Sequence, residues 1–355
     1  MQFADLPIIN AHIHAFWNMP LTEREKLLKE LMEELKYDAV TILDIPYNFQ
    51  RKSKCRDFTE NLATFYLKSK MPDKIYAFAG LTPTYIKENN TADFFLNQLK
   101  FYMDAGYDGL KMIEGRPNQR PVCGAFNDAK YHGVYEYCEA NEIPIVMHAN
   151  ADKCCWKPGG SFEKAGIADL TWLDYYNDLK DVLKKYPKLR LTIAHFNFAS
   201  EEPELSAALL DEFENLYYDI CPNQFMYPHF VEKEEIWRPF FEKYQDRLIF
   251  GTDLGSNPPD IDGSEARELE IMVRGFLEAD EPFVAVGYKI PPMKMNEGIL
   301  RKIYKDNVMN FYQHKAPKPL NKEVMKKEYD IVMDTYFTFL DVRDRENMKT
   351  IKTVL

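Results

Sequence analysis

Four of the chain's seven histidines stand where short apolar runs end. His12 and His14 close "IINAHIHAF", His148 closes "IVMHAN", and His195 follows "LTIA" in "LTIAHF". A carboxylate, Asp253, holds the same place in "IFGTDLG". Side chains alternate along a strand, so His12 and His14 project to one side and Ile13 to the other. Two imidazoles on one side can grip one ion. Imidazole nitrogens and a carboxylate are the donors that a divalent ion such as Zn2+ takes, with Mn2+ or Fe2+ as alternatives. A single histidine at a strand end is ordinarily a satisfied polar group. Five such donors at the ends of four runs form a set, and the set points to a metal site.

Other residues sit where they could meet a substrate. Lys111 in "GLKMI" shares a strand face with Gly109. Its ammonium could contact a substrate carboxylate or pair with Glu114. Arg116 and Arg120 in "EGRPNQRP" could bind a carboxylate through paired hydrogen bonds. Phe16 and Trp17, just after the two histidines, could wall an apolar substrate or pack between strand and helix. Trp156 in "CCWKPGG" could belong to a lid hinged at Gly159 and Gly160.

The elements that must position these residues are legible as a repeat. Apolar runs at 7–14, 38–45, 75–82, 109–113, 143–148, 189–195, 216–221 and 248–253 read as eight strands. Segments of helical periodicity separate them, such as the stripe Leu27, Leu28, Leu31, Met32 and Leu35. Strand then helix, eight times over, predicts parallel strands closed into a (β/α)8 TIM barrel, an α/β fold with its active site at the C-terminal strand ends. An open doubly wound sheet is the alternative, but no glycine-rich phosphate turn follows any strand. The barrel is expected over residues 1–314. Residues 315–355 read as a C-terminal helical extension: an amphipathic helix over 322–340 and then a charged tail, packed on the barrel or on a partner subunit.

With 355 residues, 46% of them hydrophobic, the chain can bury a large core. Its net charge of −11 and lack of any basic block argue against nucleic acid or an anionic membrane as partner. No apolar run approaches the ~18 residues that span a bilayer. The six cysteines are scattered, and Cys154 beside Cys155 suits no disulfide framework, so a cytoplasmic enzyme with reduced thiols is expected. The expected partner is a small-molecule substrate. Tyr329, Tyr336, Phe337 and Phe339 would offer apolar surface for a homodimer.

Taken together, "NAHIHAF", "GLKMI", "IVMHAN", "LTIAHF" and "IFGTDLG" resemble the amidohydrolase superfamily of metal-dependent barrels. "ILRKIYKDNVMNFY" is similar to the last helix of its amidohydrolase-related branch, which includes aminocarboxymuconate-semialdehyde decarboxylase and its relatives. The resemblance spans most of 7–312 and is weak in the loops. It implies that His12, His14, His148 and Asp253 are metal ligands. It also implies that Asp253 and His195 carry protons between an activated water and a leaving group. In two-metal members the lysine matching Lys111 is carboxylated and the histidine matching His195 binds the second ion; one ion with a free lysine is the expectation here. The expected activity is hydrolysis of a small amide, lactone or ester, one bearing a carboxylate. A nonoxidative decarboxylase of an aromatic or unsaturated carboxylic acid would use the same ligands. The third alternative is a barrel that binds metal or ligand without turnover.

Overall fold

The apolar runs fold as strands because each can bury both faces, one against the barrel interior and one against a helix. A computed structural model describes residues 3–15, 19–46, 59–83, 89–163, 166–223, 225–255, 262–285 and 287–355. Phe16 and Trp17 lie outside the described residues. The strands are β1 (Ile8–Ile13), β2 (Tyr37–Leu43), β3 (Ile75–Gly80), β4 (Gly109–Met112), β5 (Ile145–Met147), β6 (Leu191–Ile193), β7 (Leu216–Asp219) and β8 (Leu248–Ile249). They pair in chain order, each parallel to the next. The run after β8 reaches back to β1: Ala11 N donates to Phe250 O at 3.0 Å, Asp253 N to His12 O at 3.0 Å and His14 N to Leu254 O at 2.7 Å. The sheet is thus the expected (β/α)8 barrel.

The helices between strands are built as their sequences predict. Trp172–Lys185 is typical: Thr171 and Asp174 form a reciprocal capping box at its start. Its apolar stripe, Trp172, Tyr175, Tyr176, Leu179, Val182 and Leu183, faces the core, and Lys184 and Lys185 complement the dipole at its end. Among the described residues, no helix is long and apolar enough to cross a membrane.

Every strand is shorter than its apolar run, and three of them fall short by three residues or more. β5 starts after Pro144, which has no N–H for a ladder. β6 stops at Ile193 because His195, Phe196, Asn197 and Phe198 all take left-handed backbone conformations, with φ of 53–56°. The run after β8 turns at Asp253, where φ is 59°. A two-stranded antiparallel hairpin, β9 (Phe283–Ala285) with β10 (Tyr288–Ile290), follows the helix Ser264–Glu278.

The C-terminal region is helical, as its sequence predicts, but the helices divide differently. The helix Lys322–Ile331 passes into a wider π turn at Val332–Tyr336 and a short turn at Phe337–Phe339. The charged tail is a second helix, Val342–Lys352, capped by Asp341, whose side chain accepts from Asp344 N. Charges dominate its outer face, but Met348 and Ile351 are fully buried in the same core as the barrel. Asn347 accepts a hydrogen bond from Leu21 N at 3.0 Å, tying this helix to the first barrel helix.

Candidate metal centre

The barrel brings His12, His195, Cys221 and Asp253 together: one ligand atom from each lies within 4.8 Å of all the others. His14 borders this group, with Nε2 3.1 Å from Asp253 Oδ1. His12 Nε2 lies 3.4 Å from the same oxygen. His148 borders it from β5, its ring 5.2 Å from that of His195. All five residues read as a metal set therefore converge on one mouth, with Cys221 beside them.

Each of three imidazoles is held at its outer nitrogen. His12 Nδ1 lies 2.7 Å from Asp219 Oδ2, His14 Nδ1 2.6 Å from the carbonyl of Leu43, and His195 Nδ1 3.1 Å from the carbonyl of Pro222. Oxygen acceptors at those distances fix Nδ1 as the donor, which leaves the Nε2 lone pair available in the neutral ring. Two such lone pairs then face one carboxylate oxygen. That convergence is repulsive unless a proton or a metal ion lies among them. An acceptor behind each ligating imidazole is the usual support of a metal site. The donor set therefore fits a divalent ion.

The electrostatics agree. Burial holds His12 and His148 well below the usual imidazole range, with Lys111 and His195 respectively adding to the effect, so both rings are neutral and able to donate a lone pair. Burial pushes the Asp253 carboxyl up, but a proton shared with His14 and the fields of the surrounding imidazoles outweigh burial and hold it below the usual carboxylate range, so Asp253 stays ionised. Burial raises Asp219 to about 6, against the pull of His195 and Lys111.

Lys111 is buried at this centre, with Nζ 3.4 Å from His12 Nε2. Burial lowers its pKa, and Asp219 and Asp253 oppose that shift. It does not pair with Glu114 as one sequence alternative has it: among the described residues no hydrogen bond or ion pair joins the two, and the Glu114 carboxyl is held only by backbone N–H groups at Glu114 and Ile113. Burial pushes Glu114 up to about 7.

The two loop arginines part company. Arg120 is tied to Asp178 at 2.5 Å and lies over the ring of Tyr175. Arg116 stays half-buried in the fields of Asp253 and Cys155, and its charge also reaches His148. Trp156 packs against Phe162 and Tyr175, with ring centroids 4.7 and 5.1 Å apart. His229 bonds Ser200 Oγ at 2.9 Å.

Sequence reasoning missed Asp219 and Cys221. The signal was present. In "YDIC" the two residues sit two apart at a strand end, as His12 and His14 do, so they share a side. Attention to histidine concealed it, because Asp and Cys are less distinctive at strand ends.

Residues 58–313 match the model of a family described as Amidohydrolase. No curated protein matches the sequence. Solved structures of similar fold include a dihydroxybenzoic acid decarboxylase from Polaromonas sp. JS666 with bound manganese and the inhibitor 2-nitroresorcinol (14% identity, 88% of this chain and 98% of that one, TM-score 0.55). Another is the apo IDCase of Metarhizium anisopliae (14% identity, 87% and 97%, TM-score 0.52). A third is 4-oxalomesaconate hydratase from Rhodopseudomonas palustris (13% identity, 92% and 99%, TM-score 0.50). At these identities the likeness is one of fold.

Proposed function

Because the chain belongs to the amidohydrolase family, whose members are metal-dependent barrel enzymes, we propose that it hydrolyses a small amide, lactone or ester bearing a carboxylate, with one divalent ion at the barrel mouth. The observation that carries this reading is the convergence of His12 Nε2 and His14 Nε2 on Asp253 Oδ1, each ring backed by an acceptor at Nδ1. His12, His14, His148 and Asp253 would hold the ion, with His195 at its edge. Such an ion supplies Lewis acidity, enough to bring the ionisation of water to about pH 7.

The chain's own residues do the rest. Asp253, kept ionised, accepts a proton from the attacking water. His195, fixed at Nδ1 by the Pro222 carbonyl, takes that proton from Asp253 at its Nε2 lone pair and hands it on to the leaving atom. Arg116 orients the substrate carboxylate; Arg120 would act behind it, through Asp178 and Tyr175, rather than on substrate. The free thiols of Cys123, Cys138, Cys154, Cys155 and Cys221 suit a reducing compartment such as the cytoplasm. The exposed Ile331, Phe337 and Phe339 are the surface on which a homodimer would form.

One observation favours a second reading, nonoxidative decarboxylation. Lys111 and Arg116 are two cations beside Asp253, and together they could hold a carboxylate at the centre while His195 protonates the carbon that loses CO2. Isotopes separate the two. Turnover of a panel of carboxylate-bearing esters, lactones, amides and aromatic acids in 18O-labelled water should place 18O in the product. Release of CO2 with deuterium fixed on carbon in D2O would replace hydrolysis by decarboxylation. Elemental mass spectrometry should find about one ion per chain; none, with no uptake of added zinc or manganese, would sink both readings.

A further inference from the structure

We infer that Cys221 supplies a thiolate to the ion at the barrel mouth, so that the centre takes zinc in preference to manganese; this rests on the metalloenzyme reading above. The first ground is position. Cys221 Sγ lies within 4.8 Å of ligand atoms of His12, His195 and Asp253. Donors around a tetrahedral ion at the usual Zn–S and Zn–N lengths stand roughly 3.3–3.8 Å apart, so small side-chain adjustments close the gap.

The second ground is a feature of the wall. β8 runs between β7 and β1, and Gly251 follows it. A Cβ at Gly251 would stand 2.7 Å from His12 Cβ and 3.4 Å from Cys221 Cβ. The missing side chain leaves room where a β1 residue and a residue just after β7 approach each other.

The third ground is a shared support. Asp219 accepts from His12 Nδ1 at 2.7 Å, from His195 N at 2.7 Å and from Cys221 N at 3.3 Å. One carboxylate thus positions three of the four members of the group. Cys221 is fully buried and free of any disulfide. On metal binding its S–H bond breaks, the proton leaves to solvent and the sulfur pair binds the ion, with no change of oxidation state. Thiolate is a soft donor that favours zinc and cobalt over manganese.

The test is the absorption spectrum of protein produced in cobalt-supplemented medium. The wild type should show the visible bands of bound Co2+ together with a near-ultraviolet thiolate-to-cobalt charge-transfer band. Cys221→Ser should keep the visible bands and lose the charge-transfer band. Visible bands with no charge-transfer band in the wild type would overturn the assignment while leaving the metal centre standing. No cobalt in the protein at all would overturn the centre and this assignment with it. As a second measurement, chelator competition should show the zinc-over-manganese preference falling at least about tenfold in Cys221→Ser; an unchanged preference would count against the thiolate. The wild-type spectrum alone decides the matter if the variant fails to fold.

Discussion

Asp219 shows how much a single residue behind the ligands can control. Its two oxygens hold the His12 ring, the backbone at His195 and the backbone at Cys221. Asp219→Asn keeps the shape but weakens the grip on His12 and reduces its basicity. Metal affinity measured against a chelator should fall roughly 10–100-fold. Glu114 permits a prediction of a different kind. Its carboxyl is buried; backbone N–H groups at Glu114 and Ile113 and the fields of Lys130 and Lys111 offset that burial only in part, and Cys123 and Tyr131 are among the groups whose own pKa it raises. Its native pKa of about 7 lies above the unfolded value, so the native state holds the proton that the unfolded state has released. Stability from this group is therefore present below about pH 4.5 and is lost as pH rises to about 7, by on the order of 3 kcal/mol. Glu114→Gln should have a higher Tm than wild type at pH 8 and a similar one near pH 5, read by thermal melts across that range. An equal difference at both pH values would refute the assignment.

At the scale of elements, the turn after β6 is the costliest piece of backbone near the centre. Four consecutive non-glycine residues, His195 to Phe198, are left-handed, a conformation disfavoured by roughly 1–2 kcal/mol per residue. Packing and hydrogen bonds hold it there. The Phe196 ring sits 4.9 Å from Tyr218, 5.1 Å from Phe230 and 5.3 Å from Trp237, and the Phe198 ring lies 4.9 Å from His148. The strain is thus spent on aiming His195 into the mouth. Phe196→Ala removes the anchor. It should cost about 3–5 kcal/mol in denaturant unfolding and lower kcat more than KM, because His195 loses its aim while the ligands from β1 stay in place. The strand count and order were legible in the sequence, since apolar runs and helical stripes are local patterns. The ends of β6 and β8 were not. Nothing in "AHFNF" or "GTDLG" announces a left-handed backbone, which only contacts with β7 and β1 enforce.

Across the whole molecule, the C-terminal region is part of the barrel's own packing. Met348 and Ile351 are buried in the barrel core, and Asn347 caps Leu21 N. Met348→Ala should destabilise the protein by about 2–5 kcal/mol, with metal affinity unchanged, as measured by unfolding and by chelator competition. The mostly charged composition of the last helix read only as a charged tail without a helix of its own; two apolar residues a turn apart were too weak a signal, and the surface that receives them is made by distant helices. The same division holds for the centre. By itself the sequence determined the barrel, and it placed His12, His14, His148, His195 and Asp253 at strand ends that the barrel brings to one mouth, because strand alternation and strand ends are local and period-bound. Only the tertiary structure decided that Lys111 faces His12 rather than Glu114, that Arg120 is bound to Asp178 while Arg116 stays beside the centre, and that Asp219 and Cys221 join it. Those contacts connect residues far apart in the chain, and their distances are set by how eight strands close on one another, a quantity no local pattern encodes.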